Sequence, residues 1–178
     1  MAERRIEIDL TSGKMAFVDL EASSLSAASW PIEVGWVFGR GAPRSLLIRP
    51  DPSWLDAAWS REAETLHGVR RADLERDGKD ARDVAEELNA ALSECTVWSD
   101  APDWDGFWLF RLFSAAKTRQ LFALNDFGKL MRPLAGAREE AALRRAAQIS
   151  PRRHRAGPDA KHLQTIYTLA RTATAPRS

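Results

Sequence analysis

The sequence predicts a single α/β domain, a mixed five-stranded sheet with helices on both faces. Three observations predict it. Short apolar runs with strand character crowd the first part of the chain, amphipathic helical segments dominate the rest, and a strand, loop and helix unit joins the two. A length of 178 residues, 44% of them hydrophobic, is enough for one well-buried core and short for two. The expected division is an N-terminal segment over 1–14, one domain over 15–171, and a polar, disordered tail over 172–178.

The strands come first. Met15 to Leu20 is an apolar run ending in carboxylates, and Pro31 to Phe38 is a second run bounded by Pro31 and Gly39. The turn-rich stretch Gly39-Arg-Gly-Ala-Pro43 precedes a third strand, Ser45 to Ile48, which completes an antiparallel meander. Asp80 to Leu92 has one-sided apolar spacing after an Asp cap and predicts a helix. Thr96 to Trp98 is a fourth strand, and a helical pattern resumes from Trp104 to Ala116. Leu121 to Leu124 is assigned as the fifth strand. Helices are expected near Phe127 to Leu130, over Ala137 to Ile149, and from about Pro158 to about Arg171.

Charge excludes little by itself. Lys and Arg number 26 against 25 Asp and Glu, a formal net charge of +1. The distribution is uneven, with acids in excess between Glu62 and Asp105 and bases in excess between Lys129 and Arg155. The single cysteine, Cys95, excludes an intrachain disulfide and cysteine-based zinc sites, and its apolar surroundings predict a buried thiol. No apolar stretch approaches the roughly 18 to 20 residues of a membrane span, and Met1 to Lys14 lacks the hydrophobic centre of a signal peptide. A cytoplasmic protein without a membrane partner is the expectation.

Two groups of residues stand out chemically. Asp19 and Glu21 flank Leu20, and the period of two along a strand puts both carboxylates on one face, where they can converge on one cation. Further on, Asp100, Asp103 and Asp105 compete for a place near the start of the aromatic-rich helix, and Asp103 is well placed as a cap. His154 precedes Asp159 by five residues, the histidine in a loop and the aspartate entering the last helix. Each feature alone has a plain alternative in solvation or capping.

Together the motifs Phe17-Val-Asp-Leu-Glu-Ala-Ser-Ser-Leu25, Trp104-Asp-Gly-Phe-Trp-Leu109 and His154-Arg-Ala-Gly-Pro-Asp-Ala160 resemble those of the DEDDh 3′–5′ exonuclease superfamily. That superfamily includes the proofreading subunit of DNA polymerase III, ribonuclease T and oligoribonuclease. Ile32-Glu-Val-Gly35 and Leu66-His-Gly-Val69 agree, so the resemblance spans roughly residues 15 to 170. Two positions depart from the pattern: Asp100 stands where many members carry Asn, and Ser23-Ser24 replaces Thr-Gly.

The resemblance implies a ribonuclease-H-like fold and two divalent ions, Mg²⁺ or Mn²⁺, held by Asp19, Glu21, Asp105 and Asp159. It implies His154 as the base that takes the proton of the attacking water, and the 3′ end of single-stranded DNA or RNA as substrate. Leu25 becomes a candidate wedge against the terminal base and His67 a candidate in the substrate cleft. Trp30 and Trp104 could stack on bases, but the tryptophans are read as core or sheet-packing residues and left out of the site, and His162 is read as structural. The family leaves a homodimer open. The competing expectation is a catalytically inactive module of the same fold that binds single strands or a protein partner.

Overall fold

The computed structural model describes residues 15–172. The expectations for 1–14 and for a tail over 173–178 lie outside the described residues.

β1 (Met15–Ala22) is the central strand, covered on both faces, which is why its first half is continuously apolar. Ala16, Val18 and Leu20 enter one core cluster while Met15 and Phe17 enter another. The same alternation sends Asp19 and Glu21 to the side of Met15 and Phe17. β2 (Pro31–Phe38) runs antiparallel to β1, with Asp19 opposite Gly35 and Glu21 opposite Glu33. β3 (Arg44–Leu47) pairs antiparallel with β2 at one edge. β4 (Thr96–Ser99) and β5 (Leu124–Asp126) add in parallel on the other side, giving the order β3-β2-β1-β4-β5. The mixed five-stranded sheet is therefore as expected.

Seven helices follow the meander among the described residues: α1 (Arg61–His67), α2 (Arg71–Asp77), α3 (Ala81–Leu92), α4 (Pro102–Ala115), α5 (Phe127–Met131), α6 (Ala137–Ile149) and α7 (Ala156–Thr172). α3 and α4 bury Val84, Leu88, Leu109 and Leu112 on one face of the sheet. On the other face, α5, α6 and α7 pack around Phe17 through Phe127, Ala146, Leu163 and Tyr167.

Several boundaries differ from expectation, each for a local reason. The fifth strand is Leu124–Asp126, not Leu121 to Leu124: Leu121 is exposed, and Phe122 turns onto Phe113 of α4 with ring centroids 6.0 Å apart. α4 starts at Pro102, the residue type favoured in a first turn, and its N-cap is Ala101 rather than Asp103. Asp80 does precede α3, but its carboxylate makes no cap bond and instead pairs with Arg49 at 2.6 Å. α7 begins at Ala156 and includes Thr172, so the helix takes in the first residue assigned to the tail. Cys95 is half-buried rather than buried. No described helix is long and apolar enough to cross a membrane.

One contact sets the position of α7. A Cβ on Gly35 would lie 2.2 Å from the carbonyl carbon of Ala156 and 2.2 Å from the amide nitrogen of Gly157. The backbone of β2 thus touches the first turn of α7, which only a residue without a side chain permits.

Candidate active site

Asp19 lies on β1, Asp105 in the first turn of α4 and Asp159 in the first turn of α7. They are 7%, 1% and 2% exposed, an unusual degree of burial for three carboxylates. Glu21 is half-buried beside them. Single ligand atoms of Glu21, His154 and Asp159 all lie within 4.8 Å of one another. The structure thus brings together the residues of the first and third motifs, and it distinguishes the three acids near α4. Asp100 and Asp103 are exposed, and Asp105 alone is buried.

Each acid is held by a specific partner. Asp105 accepts a hydrogen bond from the Ser99 hydroxyl at the end of β4, and the nearby backbone N–H of Leu20 favours its charged form. Asp159 accepts from the backbone N–H groups of Arg153 at 2.7 Å and His154 at 3.1 Å. One carboxylate at a helix start therefore ties down the loop that carries the histidine. His154 has a φ of 51°, a left-handed conformation rare for a residue with a side chain. Such local strain persists only where the surroundings enforce it. Here Asp159 holds one side of the loop and Glu33 the other. The Glu33 carboxylate, 1% exposed, accepts two bonds of 2.8 Å from Arg155 and one of 3.1 Å from the Ala156 N–H.

Crowded negative charge shifts the titrations. Burial first, and then Asp105, Glu21, Asp159 and Asp100, hold the Asp19 carboxyl well above the ordinary carboxylate range. Burial, followed by Asp159 and Glu33, pushes Glu21 up to about 8, against the pull of Arg155. Burial pushes Asp105 up to about 7, although the Ser99 hydroxyl and the Leu20 N–H pull the other way. Desolvation and like charge both disfavour ionisation, and a divalent cation would reverse both effects. Buried carboxylates on three separate elements match the oxygen-rich ligand set of Mg²⁺ or Mn²⁺. The residues present fit such ions.

Arg152 meets these acids in a way the sequence reading missed. Its guanidinium contacts Asp100 and lies 4.0 Å from Asp19 and 3.9 Å from Asp159. Its nearness to His154 was the available signal, but Arg153 and Arg155 share it.

The remaining candidates divide. Leu25 is 73% exposed in the loop after β1, as an unfilled contact residue must be. His67 is buried at the end of α1. Its Nδ1 accepts from the Val69 N–H at 3.0 Å while its buried Nε2 has no partner among the described residues, and burial lowers its pKa. Trp30 is enclosed between Trp54 and Trp59 and cannot reach a base, whereas Trp104 is half-exposed against Trp108. His162 binds the Ser150 carbonyl through Nδ1 at 2.5 Å and joins α7 to the end of α6. An open cavity of about 670 Å³ between the 51–54 loop and the far half of α4 contains none of the clustered acids.

No protein-family model and no curated protein sequence matches the chain. Solved structures do. Exonuclease I from E. coli in complex with a dA16 oligonucleotide superposes with a TM-score of 0.69 at 14% identity, over 89% of this chain and 40% of that one.

The chain shares its fold with exonuclease I.

The enzyme from Methylocaldum szegediense gives a TM-score of 0.66 at 16% identity over 90% and 40% of the two chains. A zinc-bound complex of the E. coli enzyme with single-stranded DNA gives 0.66 at 13% identity over 90% and 40%. This chain therefore spans about two fifths of the length of the exonuclease I chains it matches, and at these identities the likeness carries the ribonuclease-H-like fold alone.

Proposed function

We propose that the protein is a metal-dependent 3′–5′ exonuclease that releases nucleoside monophosphates from single-stranded nucleic acid. The observation that carries this reading is the convergence of Asp19, Glu21, Asp105 and Asp159 beside His154, on the fold of exonuclease I. Single-stranded DNA is favoured over RNA, because solved exonuclease I complexes hold single-stranded DNA.

Two divalent ions, Mg²⁺ or Mn²⁺, would activate a water and neutralise charge on the leaving 3′ oxygen. Asp19, Glu21, Asp105 and Asp159 would hold them. The Ser99 hydroxyl orients Asp105. His154 takes the proton of the attacking water, and the exposure of its ring permits approach to that water and return of the proton to solvent. Leu25, exposed after β1, would meet the terminal nucleotide, and His67, whose Nε2 is buried, is the weaker candidate for the substrate cleft.

A second reading is an inactive module that binds single strands or a protein partner. It is favoured by one observation, the Arg152 guanidinium among the acids where cations would bind. The deciding experiment follows 3′- and 5′-labelled single-stranded DNA and RNA with Mg²⁺, Mn²⁺ or EDTA, beside Asp19→Asn. Stepwise 3′ shortening that requires metal and Asp19 is expected. Absence of cleavage of every substrate, with strand binding retained, would establish the module instead.

A further inference from the structure

The backbone of the loop between α6 and α7 is fixed from two sides. Asp159 accepts the N–H groups of residues 153 and 154, and Glu33 holds Arg155 and the N–H of residue 156. The Arg152 side chain is not fixed in the same way. It is 39% exposed, and its Nη1 stands 4.0 Å from a carboxylate oxygen of Asp19 and 3.9 Å from one of Asp159. Those separations are within ion-pair range but outside the roughly 2.7 to 3.2 Å of a hydrogen bond. Among the described residues, the only acid it meets at bonding distance is Asp100, which is exposed. A charge so placed serves the two buried acids by Coulomb attraction alone.

We propose that Arg152 is an exchangeable counter-ion: it neutralises Asp19 and Asp159 while the site holds no metal, and it withdraws with Asp100 when divalent cations enter. The proposal rests on the metal-dependent reading of the site and adds how that site is loaded. Its physical basis is a difference in charge and distance. A guanidinium brings one positive charge to about 4 Å from each buried oxygen, whereas a divalent cation brings two to about 2.0 to 2.2 Å. The cation therefore displaces the arginine, and the repulsion between them raises the concentration of metal needed for loading. Asp100 is part of the device, since it gives the displaced guanidinium an anionic partner at the rim. In this respect Asp100 and Arg152 act as positioning residues, whereas the acids at Asp19, Asp105 and Asp159 remain the proposed ligands.

The geometry separates this role from that of a simple clamp between the loop and Asp100. A clamp stabilises the protein whether or not metal is bound, while an exchangeable counter-ion stabilises only the metal-free form. The test is calorimetric titration of the full chain with Mn²⁺, for wild type, Arg152→Gln and Arg152→Lys, paired with thermal unfolding in EDTA and in saturating Mn²⁺. Arg152→Gln should bind Mn²⁺ about tenfold more tightly. It should melt below wild type in EDTA and level with it in Mn²⁺, and Arg152→Lys should fall between the two. An unchanged or weaker Mn²⁺ affinity, or an equal loss of melting temperature in both conditions, would overturn the proposal. Tighter Mn²⁺ binding with no cleavage by any form would support the counter-ion while removing the nuclease. Failure of every form to bind Mn²⁺ would remove both.

Discussion

The two faces of the central sheet are built on opposite principles. On the side of α3 and α4, β1 and β2 contribute Val18, Leu20, Ile32, Val34 and Trp36, and the contact is apolar from end to end. On the side of α7, Met15 and Phe17 begin in the same way, but from residue 19 onward the strands present Asp19, Glu21 and Glu33. The first face gains stability from area removed from water. The second loses some of it, since Asp19, Glu33 and Asp159 are almost fully buried, Glu33 bound by Arg155 and the other two with only the loosely held Arg152 nearby. The comparison teaches that folding energy and chemistry are separated by the pleat of a single strand. Neighbouring residues of β1 can therefore have opposite mutational signatures.

The sharpest way to expose that separation is Asp19→Asn. Its cleavage rate should fall by about three orders of magnitude or more, equal to roughly 4 kcal/mol of lost transition-state stabilisation. Its melting temperature in EDTA should rise, because a buried, crowded carboxylate becomes neutral. Both quantities come from one preparation, by gel assay and calorimetry, and a fall in both would break the comparison. His154→Ala should lower the rate about 10²- to 10⁴-fold with Mn²⁺ affinity unchanged. Loss of Mn²⁺ binding in that variant would make the imidazole a ligand rather than a base.

On the other face, Leu109→Ala should cost about 2 to 5 kcal/mol of stability measured by denaturant unfolding, because Leu109 is fully buried. The activity per folded molecule should stay near wild type. The comparison is sharpened further by the pH dependence of the metal-free protein. Glu21 and Asp105 have native pKa values raised to about 8 and about 7, so the folded state binds more protons than the unfolded state above pH 4. Stability in EDTA should therefore fall as pH rises from about 4 to about 8. Saturating Mg²⁺ should flatten that slope, and a slope unchanged by Mg²⁺ would separate these acids from the cation.

What was legible in the sequence was what local periodicity encodes. The alternation around Leu20 placed Asp19 and Glu21 on one face, and the five-residue step from His154 to Asp159 matches a carboxylate reaching back to the loop before its helix. Burial selected Asp105 from its two exposed neighbours, a distinction that three nearby aspartates do not carry in their spacing. Contacts between distant segments were not legible. The Glu33 to Arg155 pair joins residues 122 apart, although a glutamate inside the apolar run of β2 was a usable sign of a buried partner. The fifth strand was misplaced because Leu121 and Phe122 suit a strand by composition, while the pairing with β4 begins only at Leu124. Two helices of seven residues each, α1 and α2, are too short for a one-sided apolar pattern to stand out.

The seating of α7 on Gly35 also has a consequence for the order of events as the chain is made. A chain emerging from its N-terminus carries the whole β1-β2-β3 meander long before Asp159, and β4 with Asp105 well before α7. Yet the backbone of Ala156 must reach Gly35 before Asp159 can stand over β1. The acidic cluster therefore cannot be complete until α7 has docked, and a nascent chain that stops short of α7 carries all five strands without Asp159.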